Sequence, residues 1–222
     1  MQMRYETNSR QYLNVPGNPL IYWCNDFSIF SFPKLYEQYV SGGRNKTHNN
    51  ELFLRNWWEI SSSRKWKPYA NGGDYRRWYG NNNNLVDWSD EARSFYDKHG
   101  GLYNEQFWNK SGICWSLIAS CKNSFRLKDA IFHYSSASPT IISNNKDLDL
   151  AVLGFLNSKV TTYLLNMFNP TLNTTVSDVL NLPFKCFDSK AIALNVDRNI
   201  NYAKKDWDSF ETSWDFKKHP LI

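Results

Sequence analysis

The stretch Leu148-Asp149-Leu150-Ala151-Val152-Leu153-Gly154-Phe155-Leu156-Asn157-Ser158-Lys159-Val160-Thr161-Thr162-Tyr163-Leu164-Leu165-Asn166-Met167-Phe168 decides the fold class. Leu148, Ala151, Val152, Phe155 and Leu156 recur at helical spacing. Val160, Tyr163, Leu164, Met167 and Phe168 do so again after Asn157-Ser158. This predicts two successive helices, or one with a break. Asn169-Pro170 ends them, because proline pushes the residue before it out of the helical region. Upstream, from 51 to 145, the pattern favours strands instead. Leu52 to Ile60, Ile113 to Ile118, Ala130 to Tyr134 and Pro139 to Ile142 are rich in aromatic and branched residues. One helix interrupts them, with Ser89 as cap, Asp90 and Glu91 in its first turn, Lys98 and His99 in its last, and Gly100 as its stop.

Working outward, Ser177 is placed as the cap of a short turn through Leu180, and Leu182-Pro183-Phe184 leaves as a strand. A last helix covers roughly 189 to 204, followed by an aromatic tail. Residues 1 to 33 hold short apolar patches between Pro16-Gly17, Pro19 and Pro33, and read as irregular. Residues 34 to 40 suit one or two helical turns, ended by Gly42-Gly43. Asn81 to Asn84 reads as a loop tip. The expectation is an α+β chain with a helical C-terminal portion. Its parts are a lead-in segment and loop at 1–50, a mixed domain at 51–188, and a C-terminal helix and tail at 189–222.

A chain of 222 residues can bury a core without a metal or disulfide staple. Cys24, Cys114, Cys121 and Cys186 lack C-x-x-C spacing and the His residues show no paired ligand pattern, which argues for free thiols in a reducing cytoplasm and against a zinc site. No apolar run follows Met1-Gln2-Met3-Arg4, and none approaches the ~20 residues of a membrane span. Ten Trp, thirteen Tyr and fourteen Phe exceed the ordinary needs of such a core, so some are expected to face a partner.

The net charge of +5 is mild, but its placement is informative. Between Arg64 and Tyr79, five Lys or Arg (Arg64, Lys65, Lys67, Arg76, Arg77) stand against the single Asp74, interleaved with Trp66, Tyr69, Tyr75, Trp78 and Tyr79. Cations neutralise phosphates with salt-dependent affinity, and Arg can read guanine bidentately. Gly72-Gly73 allows a sharp turn and a close backbone approach. The bland alternative is a solvated hairpin whose aromatics pack beneath its charges. A second basic loop, Gly42 to Asn50 with Arg55 beyond, offers Arg44, Lys46 and Asn49 for phosphate contact, or is an ordinary polar turn. No P-loop, dinucleotide fingerprint or G-x-S-x-G elbow is present, and His99 and His133 have no recognisable partner in sequence. The chain reads as carrying no catalytic centre.

Several strings together resemble the adenine-specific DNA methyltransferases of bacterial BREX phage-defence systems, the PglX type, whose C-terminal specificity region is shared with single-chain restriction-modification enzymes. They are Pro16 to Trp23, Asn50 to Glu59, Lys65 to Tyr69, Gly72 to Gly80, Gly112 to Ser116, Leu156-Asn157-Ser158-Lys159-Val160, Asn169 to Asn173, Leu182-Pro183 and Asp206 to Phe216. The resemblance implies a mixed strand-and-helix target-recognition domain that docks on double-stranded DNA, while a catalytic methyltransferase domain of the same parent protein methylates an extruded adenine from S-adenosylmethionine. Arg44, Lys46, Asn49, Arg55, Lys65, Lys67, Tyr69, Arg76, Arg77, Trp78 and Tyr79 are the expected DNA-binding residues. The family's F-x-G-x-G-like cofactor turn and Asn-Pro-Pro-Tyr motif are missing, so no cofactor is expected in this chain. His48 stands where relatives usually have Gly. The expectation is therefore a reader without its writer, an excised piece or a split-gene product. The competing reading is a module that docks other defence-system subunits through its aromatic surface. A lectin-like module is suggested only by the Trp and Tyr density, and the basic clustering argues against it.

Overall fold

The computed structural model describes residues 6, 8–24, 26–61, 64–119, 122–143, 145–185 and 188–222. Cys24 and Cys114 are free thiols. Met1 to Arg4, Cys121 and Cys186 lie outside the described residues. The strands in chain order are β1 (Tyr39–Val40), β2 (Leu54–Asn56), β3 (Trp66–Ala70), β4 (Asn84–Asp87), β5 (Gly112–Trp115), β6 (Phe125–Lys128), β7 (His133–Tyr134) and β8 (Thr140–Ser143). The α-helices are α1 (Asn50–Phe53), α2 (Asp90–Lys98), α3 (Lys146–Leu156), α4 (Lys159–Phe168), α5 (Val176–Leu180) and α6 (Ser189–Trp207). The chain is α+β, as the change of period implied.

Two four-stranded sheets form, in the orders β1-β8-β5-β6 and β2-β4-β3-β7. Their neighbours run antiparallel except β3 and β7, which are parallel. Every residue of β5 is buried, so its apolar run lacks the alternation of a half-exposed strand. Ile113, Trp115, Phe125 and Ile141 pack there with Val152, Leu153, Leu156, Leu164 and Val196 from the helices. Tyr12, Val15, Ile21 and Phe30 of the irregular lead-in join the same core. Full burial of such aliphatic and aromatic side chains is worth about 1.5–3 kcal/mol each, so the lead-in and α6 are held by the burial that holds the sheet. A second cluster gathers Phe53, Tyr69, Val86, Trp88, Tyr96, Tyr103 and Tyr134. Much of the aromatic excess is buried here.

The break between α3 and α4 falls at Asn157-Ser158, and both residues have a task. The buried Asn157 side chain accepts from the Phe125 N–H (3.1 Å) and donates to the Phe125 carbonyl (3.0 Å) and the Leu153 carbonyl (3.2 Å), tying the end of α3 to β6. Ser158 caps α4 by accepting from the Thr161 N–H at 3.2 Å.

Elsewhere competing local chemistry overrides the apolar pattern. Leu52 to Ile60 is not one strand. The Asn49 side chain accepts from the Leu52 N–H (3.1 Å) and closes α1, and Glu59 accepts from the Asn56 N–H (2.7 Å) and winds Trp57–Glu59 into a 3₁₀ turn, which leaves only β2 extended. Residues 34 to 40 form a single 3₁₀ turn, Leu35–Glu37, before β1. The cap of α5 is Thr175 rather than Ser177, because Thr175 and Asp178 form a reciprocal capping box. Leu182 to Phe184 makes only an isolated bridge at Pro183, with Leu35 donating to the Leu182 carbonyl and Phe184 to the Pro33 carbonyl. Of Ala130 to Tyr134 only β7 is strand, and α6 runs on to Trp207. Among the described residues no helix is long and apolar enough to cross a membrane.

Candidate nucleic-acid interface

The parallel pair β3–β7 ends in two turns that run side by side. Gly72 and Gly73 follow β3 with φ of +79° and +121°, a region that strains any other residue. A Cβ at Gly72 would also stand 2.8 Å from the Ala137 carbonyl oxygen, so the turn after β7 fits only against glycine. The segment after β5 lies alongside, where the Ser116 hydroxyl donates to the Gly73 carbonyl at 2.9 Å. Residues 117–119 pair in turn with 172–174, through Ala119 N–H to the Leu172 carbonyl and Thr174 N–H to the Leu117 carbonyl.

These segments line three hollows of about 230, 530 and 240 Å³; the first and third share Gly73, Ser116 and Ile118, and the second and third share Leu117 and Ser136. Together they make a groove in which Ser116, Ser136 and backbone alternate with Leu117, Ile118, Pro139 and Val176, with Arg44 and Ser177 toward one end and Lys122 and Asp74 toward the other. Beneath Ser116 lies Arg126, only 2% exposed. Its guanidinium donates to the Arg76 carbonyl (3.3 Å) and the Ser116 hydroxyl (3.4 Å), both neutral acceptors. Among the described residues no carboxylate forms an ion pair with it. A buried cation without a counter-charge is costly.

The structure places the eleven residues expected from sequence in different settings. Arg44 lines the groove. Lys46 and Asn49 are exposed, with Asn49 engaged as the α1 cap. Arg55 donates to the Glu51 and Leu54 carbonyls and lies over the Trp66 ring. Lys65 pairs with Asp87 at 2.8 Å, and that contact with the Ser89 hydrogen bonds outweighs partial burial to hold Asp87 below the usual carboxylate range. Lys67 lines a separate cavity. Tyr69 is a core residue, its hydroxyl bonded to the Asn45 side chain at 3.2 Å, and burial pushes that hydroxyl far up in pKa. Arg76 pairs with Asp206 at 2.5 Å and lies over the Trp207 and Phe210 rings. Arg77 lies over Tyr75, with its Nε buried and unpartnered. Trp78, at φ +73°, is held by backbone bonds to Phe125 and Leu127, and Tyr79 carries Lys204 over its ring. The C-terminal helix and tail thus hold Arg76 and Tyr79.

Ser116, Lys122, Arg126, Ser136, Thr175 and Ser177 carry no sequence signal of a shared site, and only the topology assembles them. Gly72-Gly73 was the legible part. His133 is buried, stacks on Trp88 at 3.7 Å and shares a 2.7 Å hydrogen bond with the Tyr103 hydroxyl. Burial, then the charges of Lys128, Lys67 and Arg93, push its pKa down to about 3. His99 bonds the Phe95 carbonyl at the end of α2.

Fold and site define an α+β module with an open groove whose Ser116 hydroxyl accepts from the buried Arg126. Its sequence is 29% identical over 244 residues to the adenine-specific methyltransferase PglX of Lacticaseibacillus casei (strain Zhang), covering 98% of this chain and 20% of that protein. It is 28% identical over 229 residues to the adenine-specific methyltransferase BrxX of Escherichia coli O9:H4 (strain HS), covering 97% and 19%. No family model matches the sequence. The chain is a relative of the PglX-type adenine-specific methyltransferases of BREX systems, and it spans about a fifth of the length of the curated relatives it matches.

Proposed function

We propose that this chain is a DNA target-recognition region of an N6-adenine methyltransferase of a phage-defence system, and that the groove beside Gly72-Gly73 seats the phosphate backbone of duplex DNA. The observation that carries this reading is the run of backbone and hydroxyl groups at Gly72-Gly73, Ser116 and Ser136 between Arg44 and Lys122, with Ser116 bonded to the buried Arg126, which pairs with no carboxylate among the described residues. Backbone and small hydroxyl groups suit phosphate contact, since they approach closely and fix register without reading sequence. In this reading S-adenosylmethionine and the transfer chemistry belong to a catalytic domain of the parent protein. The relatives' names supply the adenine-specific methyltransferase context.

Hydrogen exchange with and without a duplex oligonucleotide tests the placement. Protection at 71–75, 116–119, 135–137 and 173–177 is expected. Protection elsewhere, with these segments unchanged, overturns it. A subunit-docking reading is favoured by one feature, the exposed Leu194 and Tyr202 on α6 (56% and 68%). It predicts capture of a defence-system subunit that survives high salt without DNA binding.

A further inference from the structure

At the opposite end of the β3–β7 pair, a cavity of about 630 Å³ opens between Trp66, Trp88 and Trp108 and shares no residue with the groove. Its size is that of a small-molecule site. The walls are unlike an ordinary apolar hollow. Trp88 is fixed by the His133 ring at 3.7 Å on one side and meets Trp108 edge-on at 5.3 Å. Lys67 stands exposed at the cavity with no ion pair among the described residues. Arg93 lies over the Trp108 ring at 5.4 Å, one nitrogen on Asp90 and its buried Nε without a partner. The one ring in the wall that can titrate, His133, is buried, and the charges of Lys128, Lys67 and Arg93 reach it.

The rings of Trp66 and Trp108, the edge of the buried Trp88, the unpaired Lys67 and the partly engaged Arg93 in one cavity are complementary to a ligand that is planar at one end and anionic at the other. We propose that this cavity binds a single nucleotide, its base stacked among Trp66, Trp88 and Trp108 and its phosphate on Lys67 and Arg93. Stacking on tryptophan tolerates any base, and charge-assisted hydrogen bonds hold the phosphate. The nucleotide could be free in solution or part of a nucleic-acid strand, and both present the same chemistry. The inference does not rest on the duplex reading, because the two sites have no residue in common.

Isothermal titration calorimetry with deoxyadenosine monophosphate, and separately with a short single-stranded oligonucleotide, tests it. Binding of the monophosphate identifies a free nucleotide, and binding of the oligonucleotide alone identifies a strand. In either case Lys67→Glu or Arg93→Gln should weaken the interaction about tenfold or more, as removal of a hydrogen bond to a charged group does. Deoxyadenosine and inorganic phosphate should each bind more weakly than the monophosphate. Lys67 is exposed, so its variant should keep the parent melting temperature, and Arg93→Gln serves as the second variant. Arg44→Ala with Lys122→Ala should leave monophosphate binding unchanged, which separates failure of this proposal from failure of the groove. The proposal is overturned if neither probe binds, if the variants bind as the parent does, or if inorganic phosphate binds as tightly as the nucleotide.

Discussion

Replacing Arg76 by Ala should destabilise the fold more than it weakens any contact with DNA. The side chain makes an ion pair with Asp206 in which the two partners are 32% and 60% exposed, so solvent screening limits that pair to roughly 0.2–1 kcal/mol. Its guanidinium also lies 5.3 Å from the Trp207 ring centre and 5.7 Å from that of Phe210, and each such contact at a half-exposed site adds about 0.5–1 kcal/mol. The total is about 1–3 kcal/mol. For a chain of this size that is a fall in melting temperature of roughly 2–12 °C, at about 2–4 °C per kcal/mol. Thermal and urea denaturation read the loss. A double-mutant cycle with Asp206→Ala should return a coupling of at most about 1 kcal/mol. If Arg76→Ala melts with the parent while duplex affinity drops tenfold or more, Arg76 reads DNA and does not brace the C-terminal helix.

Two further outcomes follow from buried polar groups. His133 stays neutral in the fold down to about pH 3, whereas an unfolded His takes up a proton near pH 6.5, so the unfolded state binds more protons between those values and stability falls as pH is lowered. Going from pH 7 to pH 5 should cost about 2 kcal/mol, and His133→Gln should flatten that dependence; an equal slope in the variant would remove His133 as its cause. Asn157→Ala should cost about 1–3 kcal/mol, because it removes the side-chain partner of the buried Phe125 amide and one of two donors on its carbonyl, the other being the Trp78 N–H, and opens the α3–β6 joint. Urea unfolding measures this, and a loss below 1 kcal/mol would mean that water or a neighbour replaces the amide.

The helical half of the fold was legible because its signals are local. The 3.6-residue period, its break at Asn157-Ser158, the Ser89 cap and the Gly100 stop need no distant partner. The strands β3, β4 and β6 were not legible as strands. Pro68 lies inside β3, where proline argues against a ladder, yet β7 pairs only with Tyr69 and Ala70 and leaves Pro68 a neighbour on one side alone. Arg126 and Lys128 read as surface charges in Phe125–Lys128, although both are buried. Burial pulls Lys128 down to about 8, and its ammonium is satisfied by the Lys110, Asp129 and Phe132 carbonyls. The basic-aromatic segment was visible as composition, but composition does not say which cations a fold engages internally. Arg55, Lys65 and Arg76 find partners within the chain, while Arg126, outside that segment, has no carboxylate partner among the described residues.

The salt dependence of duplex binding tests the groove most directly. Log Kobs against log salt should fall linearly for the parent chain, and Arg44→Ala with Lys122→Ala should lower the magnitude of that slope by about 1.8, at ~0.9 for each phosphate no longer neutralised. A slope unchanged in the double variant, or duplex binding indifferent to salt, would contradict the assignment of this groove to the phosphate backbone.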